Sequence, residues 1–406
     1  MRIIHVYDGH ERVFPGEGSV PIVVYYIAKY TAKKGYDVTV LERRWVGTDY
    51  EEGIDGIEFV RFDLNICSNV SNKEVVYDLV RKPSGVLRFV LDRTVFALKA
   101  NKYLKQNDFD VVHVHLPFAA NILININRKL REKMVYTAHI GEEKKRFALD
   151  PSAPLVLKLF SPDLYLMKRI KKSVVLNEPL KEKLINKGIE EEKLEVVPNG
   201  IDVDEFNLSK EEVERVKRKY GLNDDKVVVM FSGSITPRKG VIHLVKAVEM
   251  IDDDKILLLI VGSPNVDREY AKMVVDYVKK KNINAKFTGF VPYEDLKALY
   301  SACDIFVLPS FEEGDPIALK EALASGKPLV GSNVGGIPMQ IRDGWNGFLV
   351  EPGDEKQLTE KIKYLVENEE ERERMGRNSR VLAEEEFDWR MIAEKYLKVY
   401  EYILKE

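Results

Sequence analysis

Apolar residues in this chain fall into short runs of Val, Ile and Leu, separated by longer stretches in which apolar positions recur at helical spacing. A short unbroken apolar run reads as a strand buried on both faces, and the 3.6-residue period reads as a helix with one face turned inward. Residues 2–7 predict a first strand, 22–34 a helix and 36–41 a second strand, with further strands at 111–114 and 135–138. A strand at 173–176, a charged helix over 179–187 and a run at 194–197 lead into Pro198-Asn199-Gly200-Ile201-Asp202. That turn-rich stretch is the best candidate for a hinge. The alternation then restarts at 226–231, passes a glycine-containing loop and a helix over 241–250, and continues through strands at 255–261, 285–288, 305–308 and 328–331. Strands alternating with helices define parallel sheets, so the expected class is α/β with two doubly wound domains in series. Residues 389–404 form an amphipathic helical pattern with Tyr396, Tyr400 and Tyr402, expected to pack as a brace.

Length supports this reading, since 406 residues at 45% hydrophobic content supply two cores and not one. Lys plus Arg (63) nearly balance Asp plus Glu (66), and a net charge of -3 removes nucleic acid as an expected partner. The two cysteines, Cys67 and Cys303, are far apart and form no CxxC, which excludes a disulfide framework or a thiolate zinc site and fits a reducing compartment. No apolar run reaches the roughly 18 residues of a spanning helix, and residues 1–9 begin with a strand-like run instead of a secretory signal. The expected location is the cytoplasm, extending at most to the inner face of a membrane. A charged fraction of 32%, with many Glu/Lys pairs at helical spacing, points to a thermophilic source.

Ligands of doubly wound sheets bind beyond the carboxyl ends of the strands, so the loops that follow strands are where chemistry is expected. Residues 309–326 read as a loop and then a helix, with Pro316 in the first turn and Gly326 at the end. The exposed amides of such a helix start suit a diphosphate. Glu313 in the loop and Glu321 in the helix can accept hydroxyls from two different polyols, a hexose and a ribose; the plain alternative is two solvated acids. Upstream, residues 231–240 follow a strand and offer Arg238 and Lys239 beside small residues, a surface turn or a site that neutralises a departing diphosphate. The loop 331–336 with Pro338 adds backbone amides at the same edge. In the N-terminal half, Gly16, Gly18 and Ser19 follow the first strand. His113 and His115 alternate along a strand, which assigns one to each face, and HxH without an evident third ligand is a poor zinc pattern. His139 ends a strand, as a substrate partner or a structural residue. Glu42 stands where a dinucleotide enzyme would hold its ribose acid, but no GxGxxG precedes it.

At these residues the chain resembles the family 4 retaining glycosyltransferases of GT-B fold, over essentially its whole length. The resemblance is carried by residues 198–202 with Phe206, the loop from Gly233 to Gly240, Ile260-Val261-Gly262, residues 287–291, the Glu313 and Glu321 pair, and Gly335-Gly336-Ile337-Pro338 followed by Gly344 and Gly347. It implies two Rossmann-like domains facing a central cleft. The first, 1–198, takes the acceptor, with helix 388–406 packing back on it; the second, 199–387, takes the nucleotide-sugar. It further implies that Glu321 binds ribose hydroxyls, Lys239 the diphosphate, and Glu313 with the amides of Asp315, Pro316, Ile317, Ala318 and Leu319 the donor sugar and phosphates. Pro316, lacking an N–H, contributes only backbone position to that set. His139 matches the family's strand-end histidine near the sugar, Gly16, Gly18 and Ser19 its glycine loop, and Phe290 and Val291 the place where backbone meets the base. Ser234 stands where the family commonly has Arg, so Arg238 is expected to reach in. Asp315-Pro316 replaces a usual Phe-Gly and is expected to add a negative charge beside the donor sugar.

The reaction implied is transfer of a hexosyl unit from a UDP- or GDP-linked donor to a hydroxyl of a glycan, a lipid-linked sugar or a small molecule, with retention and without metal or cofactor. Two alternatives are a non-catalytic nucleotide-sugar-binding subunit and a GT-B epimerase. Residues 153–172 combine apolar positions with Lys168, Arg169, Lys171 and Lys172, which reads as a buried helix with a cationic last turn or as a contact with an anionic membrane.

Overall fold

The computed structural model describes residues 1–15, 18–64, 83–139, 161–223 and 225–405. Cys67 and Gly16 lie outside these residues. The chain divides into two compact units, Met1–Pro198 with Trp389–Glu406, and Asn199–Asp388.

Among the described residues of the first unit, eight strands form one sheet: β1 (Arg2–Val6), β2 (Asp37–Arg43), β3 (Glu51–Ile54), β4 (Ile57–Phe62), β5 (Val111–Val114), β6 (Met134–Ala138), β7 (Lys172–Val175) and β8 (Leu194–Val196), in the order β3-β4-β2-β1-β5-β6-β7-β8. All neighbours are parallel except β3 and β4, an antiparallel hairpin. That hairpin is absent from the sequence reading. Its turn is Asp55-Gly56 with φ of 53° and 79°, the left-handed pair that a two-residue hairpin requires, so the Asp-Gly dipeptide was its available signal. Strands β5 and β6 are buried along their whole length, as sheets covered on both faces demand. The helix Trp389–Lys405 belongs to this unit: Trp389 stacks on Tyr26 at 5.6 Å between ring centroids, and Lys171 Nζ donates to the Ile403 carbonyl.

The second unit holds six parallel strands, β9 (Val227–Ser232), β10 (Ile256–Val261), β11 (Ala285–Gly289), β12 (Ile305–Leu308), β13 (Leu329–Ser332) and β14 (Gly347–Val350), ordered β11-β10-β9-β12-β13-β14. Helices Val241–Ile251, Arg268–Lys281, Tyr293–Ala302 and Ile317–Ala324 connect them, their apolar faces closing one core with the strands. Strand β14, a short run that begins at Gly347, is missing from the sequence reading because four residues, one of them glycine, give too little period to register.

Candidate active site

The order of the second sheet builds outward from β9 in one direction to β10 and β11, and in the other to β12, β13 and β14. The order reverses between β9 and β12, which makes the carboxyl ends of those two strands the topological switch point where doubly wound sheets bind their ligands. Two loops border it, residues 233–240 after β9 and 309–316 after β12. They are pressed together: Phe311 N–H donates to the Arg238 carbonyl at 2.8 Å, and Arg238 Nη1 donates to the Glu312 carbonyl at 2.7 Å. Gly240 makes the approach feasible. It sits at φ 66°, and a Cβ there would come within 2.0 Å of the Pro309 oxygen. Gly335 does the same for the third loop, where a Cβ would meet the Glu313 carbonyl oxygen at 1.8 Å.

The loops thereby join the neighbouring cations Arg238 and Lys239 to Glu313, 74 positions beyond Lys239. Lys239 Nζ donates to Glu313 Oε1 at 2.5 Å, Arg238 Nη1 stands 3.6 Å from Glu313 Oε2, and Ser310 Oγ donates to Glu313 Oε1 at 2.7 Å. The carboxylate is 6% exposed and the two cations 14% and 18%. Two cations against one carboxylate leave a local excess of positive charge in a poorly hydrated place, where it acts strongly on an anion. Arg238 stands beside Glu313, in a loop in which Ser234 is half-buried. Ser310, which completes the acceptor side of Glu313, was not singled out from sequence, because a serine after a strand has no distinguishing pattern.

Glu321 lies one turn into the helix Ile317–Ala324, whose first amides have no side-chain cap. Burial pushes its carboxyl up to about 7, with the nearby Tyr300 hydroxyl opposing the shift and Glu205 adding to it. That hydroxyl also lies beside Ser232, the last residue of β9, so Glu321 is placed at the same edge of the sheet. Tyr300 is another residue the sequence reading missed; it sits inside an ordinary amphipathic helix. Phe290 and Val291 follow β11 at that edge, Phe290 82% exposed and Val291 buried.

Asp315 corrects one expectation. Its carboxylate adds no free charge beside a sugar: it is paired with the fully buried Lys320, accepts from Gln340 Nε2 at 2.7 Å, and accepts from the Asn199 amide at 2.5 Å. The side chain is an internal anchor that ties the start of the helix to residue 199. Asp315→Asn is therefore expected to lower unfolding free energy by about 3–5 kcal/mol, because Lys320 is left buried without a counter-charge. Urea unfolding checks this, and the double variant D315N/K320M should recover most of the loss.

On the first unit, His139 ends β6 and is half-buried. Gly18 caps the helix Ser19–Lys33 at its amino end, with φ -66° and ψ 172°, so Ser19 opens that helix. The assignment of His113 and His115 to opposite faces is wrong. Side chains two apart on a strand share a face, and these rings lie 4.1 Å apart between centroids. A third histidine, His5 on β1, joins them, with one ring nitrogen from each of the three within 4.8 Å of the others. Glu42 is buried in internal bonds from Val13 N–H, Trp45 Nε1 and Arg61 Nε, which removes it as a ribose acid. In residues 153–172, those up to 160 lie outside the described residues. Beyond them Leu166, Met167 and Ile170 belong to the core, Lys172 is buried, and Lys168 and Arg169 are exposed. Among the described residues no helix is long and apolar enough to cross a membrane.

Comparison with known proteins agrees with this architecture. Residues 20–205 match the glycosyltransferase family 4 profile and residues 212–382 that of glycosyl transferases group 1. The chain is 29% identical over 301 residues to an uncharacterized glycosyltransferase of Methanocaldococcus jannaschii, covering 72% of this chain and 75% of that one. It is 24% identical over 403 residues to a D-inositol 3-phosphate glycosyltransferase of Corynebacterium glutamicum, covering 94% and 91%. In fold it is similar to the sucrose-phosphate synthase of Thermosynechococcus elongatus, with TM-score 0.79, 19% identity and coverage of 100% and 99%. The HepE protein of Anabaena, solved in complex with UDP-glucose, gives TM-score 0.73 at 19% identity, covering 99% and 100%. The chain belongs to the group 1, family 4 glycosyltransferases and has the GT-B fold.

Proposed function

We propose that this glycosyltransferase moves a hexosyl unit from a nucleoside diphosphate sugar to an acceptor hydroxyl, with retention at the anomeric carbon and without a metal ion. The observation that carries the reading is the meeting of Lys239, Arg238 and Glu313 at the β9/β12 switch point, with Glu321 at the same edge. Lys239 keeps two N–H donors beyond the one given to Glu313, and these, with Arg238 and the helix amides, suit the oxygens of a diphosphate. Glu313, already oriented by Ser310, offers its carboxylate to sugar hydroxyls, and Glu321 takes both ribose hydroxyls. The UDP-glucose bound by HepE and the activity named for the inositol-phosphate relative support a donor of this class.

As the bond from the anomeric carbon to the phosphate oxygen breaks, negative charge grows on the diphosphate, and the two fixed cations are worth most at that moment. No side chain in the cluster is placed as a separate nucleophile. The acceptor oxygen therefore attacks from the face the diphosphate leaves, and its proton passes to the departing phosphate oxygen.

Incubating the purified protein with a panel of UDP-, GDP- and ADP-sugars, with EDTA and with Mg²⁺, and reading products by mass spectrometry tests the proposal. Release of a nucleoside diphosphate from one donor at equal rates in EDTA and Mg²⁺ is expected. Absence of binding and turnover across the panel would reject it, and activity confined to Mg²⁺ would reject its metal-free form.

A further inference from the structure

The first unit contains a file of histidines that the chemistry above does not use. His5 Nδ1 lies 2.9 Å from His115 Nε2, and His115 Nδ1 lies 2.9 Å from His139 Nε2. His5 is buried on β1, and His115 is buried one residue past the end of the adjacent parallel strand β5. At the inner end, His5 Nε2 is buried and meets no hydrogen-bond partner among the described residues. His113 stands beside the file and not in it, with Nδ1 on the Tyr400 hydroxyl and Nε2 on the Thr137 hydroxyl.

A neutral imidazole carries one N–H, and each contact in the file needs one donor and one acceptor, so the three rings must all point their protons the same way. The inner end decides which way. A buried N–H without a partner is rarer and costlier than a buried lone pair without one. His5 therefore keeps Nε2 bare and carries its proton on Nδ1, donating to His115 Nε2. His115 then carries its proton on Nδ1 and donates to His139 Nε2. His139 in turn has its own proton on Nδ1, the nitrogen not engaged with His115.

We propose that His5 and His115 are positioning residues that lock His139 as its Nδ1–H tautomer, so that it serves the transfer reaction as a hydrogen-bond donor and never as an acceptor or base. This rests on the reading of His139 as a substrate-contacting residue. Its target on the substrate must then present a lone pair, such as a hydroxyl or phosphate oxygen. The rings stay neutral, since burial holds His5 and His139 at about 3 and His115 well below the ordinary range. A metal ion shared by His5, His113 and His115 would have to displace these bonds, which already occupy every ring nitrogen of the three except His5 Nε2.

Two-bond ¹H–¹⁵N correlation of the full-length protein labelled at histidine reads the tautomers directly. The chain has 6 histidines, assignable with H5Q, H115N and H139Q. Protonated Nδ1 and bare Nε2 at His5, His115 and His139 are expected, unchanged down to about pH 5. A protonated Nε2 at His139, a doubly protonated His139, or a stoichiometric metal that perturbs the His115 signals would each overturn the relay. In kinetics, His115→Leu should cut kcat about tenfold, the value of one lost hydrogen bond, with donor affinity unchanged. His115→Asn, whose amide can donate to His139 Nε2 from the same place, should restore most of it. Equal losses in both variants would overturn the relay. Should His139→Ala leave turnover intact while the tautomers are as expected, the relay stands and the placement of His139 at the substrate fails.

Discussion

Lys239→Ala is expected to reduce kcat by about 10²–10³-fold while donor affinity falls far less, because in the proposed mechanism the ammonium acts mainly on charge that develops as the diphosphate leaves. The geometry supports a large effect. Lys239 is held at 2.5 Å from Glu313 with its side chain only 14% exposed, so bulk water does not substitute for the missing charge. Its loss leaves Glu313 with Arg238 at 3.6 Å and the Ser310 hydroxyl as its partners. The leaving group then faces one cation instead of two. Lys239→Arg keeps the charge on a planar fork that does not match the single tight contact, so partial recovery is expected. Measurement of kcat at saturating donor, beside direct titration of donor binding, separates the two quantities. A variant with unchanged kcat would remove Lys239 from the reacting centre.

The second large effect concerns Glu321 and has opposite signs for binding and stability. Burial has raised its carboxyl from 4.5 to about 7. The folded protein thus holds a proton that the unfolded chain gives up between those values. Stability of the unliganded protein should be greatest at or below about pH 4.5 as far as this group is concerned, and should fall as pH rises to about 7, by at most about 3 kcal/mol. In the proposed role of Glu321, ribose hydroxyls donate to the ionised carboxylate, so donor affinity should move the other way, rising about tenfold from pH 6 to pH 8. Glu321→Gln removes both dependences. At pH 8 the variant is expected to be more stable than the parent by roughly 1–3 kcal/mol and to bind donor about 10²-fold more weakly, having lost charge-assisted hydrogen bonds. Thermal unfolding and calorimetric titration with an unreacted donor, each across pH 5 to 8, read the two effects separately. If stability and affinity fell together, Glu321 would be a structural acid instead.

These results belong to a sheet edge whose elements are visible in the sequence to different degrees. The strand run at 226–231 and the structure's β9 (Val227–Ser232) differ by one residue, and 305–308 coincides with β12, because both are apolar on two faces and end at glycine or proline. The hairpin Glu51–Ile54 with Ile57–Phe62 was passed over although Asp55-Gly56 marks its turn, since its outer strand alternates with solvent and carries little apolar signal. Asp315 was read as a charge added to a pocket, because nothing local shows that the lysine five positions on points inward to meet it. His113 and His115 share a face, as a strand period of two requires, but their third neighbour, His5, is 108 residues before His113 and outside any local pattern.

By itself the sequence determined the α/β class, the elements that end in glycine-bearing loops, and the residue types capable of gripping a diphosphate and two polyols. Those properties are local: they follow from apolar period, turn chemistry and side-chain charge within a few residues. The tertiary structure alone decided which of those groups meet. Lys239 reaches Glu313 across 74 positions and His5 reaches His115 across 110, each because the strand order places two distant segments side by side, and Asn199 reaches Asp315 across 116. Sheet order is fixed by burying whole faces of strands and helices together, a sum over the entire core that no short window of residues contains.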